Sequence, residues 1–252
     1  MDLGLQGRVA AVTGGSHGLG YAIAKSLLEE GCRVAICARD ATRLQAAAVQ
    51  LGTSAFAHQA DLSTPDSPER FIRAAVQQFG GLDVLVHNAG GGGGASLDAP
   101  DADFSQAVEL NVLAGLRAAR AAVPFMRQRH GGRIIFIASV YGRESGGRIG
   151  YNLAKAAEIS LAKGLARELA ADNILVNSVA PGSLMFPGSS WERRQQADPD
   201  GIAQFVRSEL PLGRFGTPEE VAAVVTFLAS DRASLVTGAC WTVDGGQSRS
   251  LF

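Results

Sequence analysis

Along the chain, short runs in which nearly every residue is apolar alternate with longer stretches whose apolar positions recur every three or four residues. The runs at Arg8–Val12, Arg33–Ala38, Ala55–His58, Leu82–His87, Arg133–Ala138, Ile174–Val179 and Cys240–Val243 predict strands. The Ala- and Leu-rich stretches at Leu19–Glu30, Thr42–Leu51, Pro68–Phe79, Phe104–Arg129, Tyr151–Ala171 and Pro218–Ser230 predict helices between them. Strands that are apolar throughout, rather than at alternate positions, suit a parallel sheet covered on both faces. With right-handed crossovers, the pattern predicts a doubly wound α/β fold: a seven-stranded parallel sheet, helices on both faces, and ligands at the carboxyl ends of the strands. Thr217-Pro218-Glu219-Glu220 reads as a capping box with Pro at the first helical position; Asp40 can cap the second helix, and Gly31 can end the first. No repeat or linker divides the chain, so residues 1–252 read as one domain.

Two segments break the rhythm. Gly90–Gly94 is a run of glycines after the fourth strand, read either as a mobile spacer or as backbone pressed against a ligand. Residues 183–212 mix Pro, Gly and charges around Met185, Phe186 and Trp191, and such an excursion in a compact α/β domain reads as a substrate lid.

Composition narrows the function. The chain is 46% hydrophobic and 19% charged, enough apolar material for a packed core. Its Lys+Arg 23 against Asp+Glu 24 gives a nucleic-acid partner no electrostatic support. No apolar run reaches the roughly 18–20 residues that span a bilayer, and the start lacks the pattern of a secretory signal. Cys32, Cys37 and Cys240 form no C-x-x-C, which suits a reducing cytoplasm, and the histidines at 17, 58, 87 and 130 have no spacing that would hold a metal.

The first strand runs through Thr13-Gly14-Gly15-Ser16-His17-Gly18-Leu19-Gly20 into a helix. Glycines 14, 18 and 20 allow a tight turn, close approach to a diphosphate and close helix–strand packing, while the helix N-terminus offers unpaired N–H groups to the anion. Gly14-Gly15-Ser16-His17-Gly18 also spells the nucleophile elbow of α/β-hydrolases, but such an enzyme needs a late histidine and the last here is His130. No G-K-[ST] follows, which excludes a P-loop. The second strand closes with Cys37-Ala38-Arg39-Asp40. A site for NAD(H) usually offers an acid at that tip; Arg39 can instead pair with a 2′-phosphate, with help from His17 when protonated. The expectation is NADP(H) preferred, with NAD(H) possible.

Ser139 closes the fifth strand, Tyr151 opens the next helix and Lys155 follows at i+4, on the same helical face. A phenol with a pKa near 10 is a poor base at neutral pH, and a fixed cation beside it favours the phenolate. Tyr151 could then exchange a proton with a carbonyl or alcohol oxygen that Ser139 holds. Alone, Y-x-x-x-K also describes a solvated surface pair.

Taken together these residues resemble the short-chain dehydrogenase/reductase family over essentially the whole chain. Thr13, Gly14, Gly18 and Gly20 stand for its TGxxxGxG, Asp61-Leu62 for its adenine-side acid, Asn88-Ala89-Gly90 for its N-A-G and Val243-Asp244-Gly245-Gly246 for its last strand end. The resemblance implies a catalytic set of Asn111, Ser139, Tyr151 and Lys155, with Asn111 anchoring a water and the lysine in a proton relay. It also implies a Rossmann-type cofactor site of Gly14, Ser16, His17, Gly18, Leu19, Gly20, Arg39, Asp61, Leu62, Asn88, Ala89, Gly90, Tyr151, Lys155, Pro181, Gly182 and Ser183. Three positions depart. The Ser–Tyr interval is twelve residues, one shorter than the commonest spacing; Phe186 replaces the threonine past Pro181-Gly182, leaving the carboxamide to backbone groups or Ser183; and His87 replaces the first Asn of N-N-A-G.

The implied activity is NADP(H)-dependent interconversion of a secondary alcohol and a ketone, 3-oxoacyl or other. A non-catalytic nucleotide-binding regulator, or a lyase or epimerase with transient nicotinamide redox, are the competing readings. Met185, Phe186, Trp191 and Tyr141 are candidates for an apolar pocket wall, and Arg143, Arg193 and Arg194 for attraction of an anionic group. The Ala-rich helices at Phe104–Arg129 and Tyr151–Ala171 suit burial between subunits of a homotetramer or homodimer.

Overall fold

The computed structural model describes residues 2–251. Chain order runs β1 (Val9–Thr13), α1 (Gly18–Glu29), β2 (Arg33–Ala38), α2 (Ala41–Leu51), β3 (Ala55–Gln59), α3 (Ser67–Phe79), β4 (Val84–His87), α4 (Asp101–Val108), α5 (Ala114–Gln128), β5 (Gly132–Ile137), α6 (Ile149–Leu169), β6 (Ile174–Pro181), α7 (Ser190–Ala197), α8 (Pro199–Glu209), α9 (Pro218–Ala229) and β7 (Cys240–Val243). Among these residues the strands form one parallel sheet in the order β3-β2-β1-β4-β5-β6-β7. The chain begins in the middle, winds out to β3, then crosses to β4 and winds the other way. That reversal opens a crevice at the carboxyl ends of β1 and β4.

Successive residues of a strand feed opposite faces, and both faces are covered. Leu85, Ile134 and Phe136 join Phe71, Ala118, Met126 and Ala162 under α3, α5 and α6. Their neighbours Val84, Val86, Ile135 and Ile137 join Ile23, Leu27, Val225 and Leu228 under α1 and α9. This is why the strands read as unbroken apolar runs. The expected caps are present: Asp40 accepts from Arg43 N at 2.9 Å, Thr217 and Glu220 form the reciprocal capping box, and Gly31 leaves α1 with a φ of 81°.

Two expectations need correction. The stretch Phe104–Arg129 is not one helix: it starts earlier, as α4, and passes through a π-helical turn at Glu109–Leu113 before α5. Residues 183–212 are more regular than their composition implied, because α7 and α8 lie within them. Ser189 caps α7 by accepting from Glu192 N at 3.0 Å, and Asp198 caps α8 by accepting from Gly201 N at 2.9 Å. Trp191 of α7 stacks on Phe205 of α8 at 4.5 Å between ring centroids, so the pair packs as a unit.

Candidate active site

The turn after β1 is built for close approach. Gly14 and Gly18 have φ of 67° and 55°, and a Cβ on Gly20 would lie 2.2 Å from Gly14 O. Even alanine at 20 would therefore push α1 off the turn. Asn88 ties the turn to β4, donating from Nδ2 to Thr13 O at 3.0 Å and Gly14 O at 3.3 Å. At the N-terminus of α1, His17 supplies no side-chain cap, so the helix keeps unpaired N–H groups facing the crevice. Burial, and then Arg43, hold His17 below its ordinary pKa. The help expected from a protonated His17 is thereby replaced by a neutral ring at pH 7.

From this turn a groove of about 200 Å³ runs to the tip of β2, lined by Gly14, Ser16, His17, Arg39, Arg43, Leu62, Ala89 and Gly90 among others. Arg43 is the residue that sequence reasoning missed there; it stands in the first turn of α2, three residues past the cap Asp40. Asp61 stands apart from the wall. Its carboxylate accepts from Ser63 Oγ at 2.8 Å and Ser63 N at 3.0 Å, and these bonds, with Arg39 nearby, depress its pKa.

A chain of hydrogen bonds links the turn to the π-helical segment. Thr13 Oγ1 accepts from Asn88 N at 2.9 Å and Ala89 N at 3.0 Å, and lies 3.2 Å from His87 Nδ1. With its acceptor capacity filled, the hydroxyl donates to Nδ1; the imidazole proton then sits on Nε2, which donates to Asn111 O at 3.2 Å. Burial, followed by the charge of Lys155, pushes the His87 pKa down to about 4. His87 is thus a neutral strut between β4 and the Asn111 backbone.

Asn111 is fully buried, and its side chain is committed to neighbouring backbone. Oδ1 accepts from Gly91 N at 3.0 Å, and Nδ2 donates to Gly91 O at 3.0 Å and Ala107 O at 2.7 Å. The glycine run is accordingly held rather than loose. Gly91, Gly92 and Gly93 have φ of 125°, 75° and 104°, Gly94 O accepts from Gly150 N at 3.0 Å, and a Cβ on Gly93 would lie 2.5 Å from Tyr151 N. The run presses against the start of α6 and so helps to place Tyr151.

Ser139, Tyr151 and Lys155 lie along one hollow of about 290 Å³ with Leu19, Asn88, Gly90, Gly91, Pro181 and Gly182. Lys155 Nζ sits 5.7 Å from the centroid of the Tyr151 ring, on the same face of α6. Ser139 Oγ accepts from Tyr141 N at 3.2 Å, which leaves its proton free to donate. Lys155 is 3% exposed and donates to Ile137 O at 2.8 Å and to Glu158 Oε2 at 2.6 Å. Sequence reasoning missed Glu158 as well. Ser183 lines the mouth, with its N–H donating to Gln247 Oε1 at 2.7 Å and its Oγ accepting from Gln247 Nε2 at 3.0 Å.

The hollow opens into a cleft of about 900 Å³ bounded by Tyr141, Arg148, Phe186, Trp191, Arg193 and Arg194, with no carboxylate among its described lining residues. Met185 and Arg143 are not on that wall; Arg143 turns to β7 and donates to Cys240 O at 3.2 Å, and Arg148 takes its expected place. Phe186 lies across the phosphate turn, where a Cβ on Gly18 would come within 2.5 Å of its ring.

Residues 14–248 match the family model described as enoyl-(acyl carrier protein) reductase. The rhamnolipids biosynthesis 3-oxoacyl-[acyl-carrier-protein] reductase of Pseudomonas aeruginosa is 38% identical over 251 residues, 96% of each chain. The structure of L-sorbose reductase from Gluconobacter frateurii, complexed with NADPH and L-sorbose, superposes over 100% of both chains with a TM-score of 0.94 and 36% identity. That of a 7α-hydroxysteroid dehydrogenase with NADH and 7-oxo glycochenodeoxycholic acid covers 100% of this chain and 98% of its own, with a TM-score of 0.90 and 32% identity.

Proposed function

This chain belongs to the short-chain dehydrogenase/reductase family, whose members are oxidoreductases, and we propose that it interconverts a secondary alcohol and a ketone with NADP(H), accepting NAD(H) less well. The observation that carries the reading is that Ser139, Tyr151 and Lys155 line one hollow together with Leu19 at the start of α1, Asn88 and Pro181-Gly182. The chain fits the dinucleotide: backbone bared by Gly14 and Gly18, free N–H groups at α1, and Ser16, Arg39 and Arg43 around the far groove. Arg39 and Arg43 would pair with a 2′-phosphate, and Leu62 and Ala89 would flank the adenine end. When bound, the nicotinamide supplies or accepts the hydride.

The rest is done by the protein. The Ser139 hydroxyl donates a hydrogen bond to the substrate oxygen and fixes it beside Tyr151. In reduction the Tyr151 phenol gives that oxygen a proton, and in oxidation it takes one away. The Lys155 ammonium behind the ring favours the negative charge left on the phenol. Asn111 holds the Gly91 peptide on both sides and so fixes the floor under the reacting group.

Residues 183–212 serve as a lid, whose Arg193 and Arg194, with Arg148 opposite, favour a ketone bearing an anionic group, 3-oxoacyl carriers included. The matching assay supplies the purified protein with NADPH or NADH and a panel of ketones, neutral and anionic. Coenzyme oxidation is expected fastest with NADPH and an anionic ketone; none with any ketone would defeat the reading.

Two or four copies are proposed to associate through α5 and α6, since Ile149 and Leu153 of α6 remain exposed. Light scattering at micromolar concentration should give a multiple of 26.1 kDa, and a monomer there would exclude it. Its unpaired cysteines suit a reducing cytoplasm. Burial pushes the Cys32 and Cys37 pKa values up to about 12, and no helix among the described residues is long and apolar enough to cross a membrane.

A further inference from the structure

Glu158 lies three residues past Lys155, on the inward face of α6, with no exposed surface. Its Oε2 accepts from Lys155 Nζ at 2.6 Å, and its Oε1 is buried with no hydrogen-bond partner among the described residues. A carboxylate in such a place is costly, because one oxygen forfeits water and gains nothing. Packing alone would favour an aliphatic residue at this position. What the carboxylate supplies is a counter-charge for an ammonium that is buried just as completely.

The alternatives around the pair are few. From β5, Lys155 receives the Ile137 carbonyl, a dipole without a charge, and Arg133 of that strand turns to Asp231. From β4, His87 feels Lys155 and stays neutral. In the π-helical turn, Glu109 is spent on Arg117; in α4, Asp101 and Asp103 are exposed. From the turn at Val140–Gly142 comes Tyr141, a neutral phenol raised above its ordinary pKa by burial. On α6 itself the other titratable neighbour is Tyr151.

We propose that Glu158 is a positioning residue for the reaction: it is the counter-ion that keeps the buried Lys155 protonated and drawn against the Ile137 carbonyl behind Tyr151. This rests on the reading of Tyr151 and Lys155 as the catalytic pair. Burial alone would lower the Lys155 pKa; the charge of Glu158, then that of Tyr151, and the hydrogen bond to Glu158 hold the lysine above its ordinary value. Burial in turn pushes Glu158 up to about 7, so the ion pair is complete only above neutrality. Below that, Glu158 takes up a proton while Lys155 remains charged. A glutamine at 158 mimics the protonated carboxyl, so it should resemble the wild type in acid and fall behind it as pH rises.

The test is Glu158→Gln, read in two ways. The chain has three lysines, Lys25, Lys155 and Lys163, so ε-carbon-labelled lysine gives three resonances, with that of Lys155 assigned by its loss in Lys155→Met. In Glu158→Gln the Lys155 midpoint is expected to fall by about one unit, a tenfold change in its ionisation constant. The alkaline limb of kcat should move down with it, while KM for the ketone changes little. Coincident Lys155 titrations in the two proteins, or a limb that does not move, would overturn the proposal. Should the buried amide prevent folding, Glu158→Leu carries the same expectation. The wild type alone also tests it, since a Lys155 that titrates below an ordinary lysine contradicts the assignment. Because the resonance needs no substrate, it stands apart from the proposed activity: a wild type that reduces no ketone defeats the activity and leaves the titration to be read.

Discussion

Tyr151→Phe is expected to lower kcat by about 10²–10⁴ or more while leaving the fold and the affinity for coenzyme intact. The change removes one oxygen. The ring keeps its place because the glycine run packs against the backbone at Gly150 and Tyr151, and that packing does not involve the hydroxyl. The Lys155 ammonium also keeps its bonds to Ile137 O and Glu158. What disappears is the proton that must travel to or from the substrate oxygen, and among the described residues no other phenol or carboxyl lines the hollow: Ser139 holds the oxygen but is far too weak an acid to replace the phenol. Steady-state kinetics with the best ketone of the panel, beside a coenzyme-binding titration and a thermal melt, measures all three properties. Activity within about threefold of the wild type would refute a proton-transfer role for Tyr151.

The second large effect is expected at the other end of the groove. Replacing both Arg39 and Arg43 by Ala should lower kcat/KM for NADPH by at least about tenfold and leave the value for NADH nearly unchanged. A hydrogen bond to a charged group contributes about 1.5–3 kcal/mol, and here both partners are charged; the exposure of these arginines argues for the lower end. Asp40 tempers the effect, because its carboxylate lies 3.8 Å from the Arg43 guanidinium and already offsets part of its charge. The decisive quantity is the ratio of the two coenzymes' kcat/KM values in wild type and variant. Equal losses with both would show that the arginines support the groove generally and do not read a 2′-phosphate.

Much of this architecture is legible before any coordinates because the cues are local. A strand buried on both faces is apolar at every position, as at Ile134–Ile137, and a helix covering it is apolar at every third or fourth. The glycine turn is legible for the same reason, since no other residue fits its geometry. What escapes depends on tertiary context. The π-helical turn at Glu109–Leu113 inserts no Pro or Gly, so the sequence continues as though the helix were unbroken, although the shift directs Asn111 at the glycine run. The helices α7 and α8 were signalled by Ser189 three residues before Glu192 and by Asp198 before Pro199; the surrounding charges and glycines masked those starts. Glu158 was hidden most completely. A glutamate in an amphipathic helix ordinarily marks the solvent face, and only packing against β5 and β6 reveals that this one points inward.

Because Thr13 spends its lone pairs on the amides of Asn88 and Ala89, its proton is committed to His87, and the ring is committed in turn to Asn111. An uncharged imidazole of fixed tautomer is a permanent dipole, so this rail from β1 to the helix conveys orientation without conveying net charge. Over neutral and alkaline conditions, buffer and ionic strength leave it undisturbed. Added salt should instead be felt at the exposed cations of the groove and cleft, where counterions can compete with the ligands.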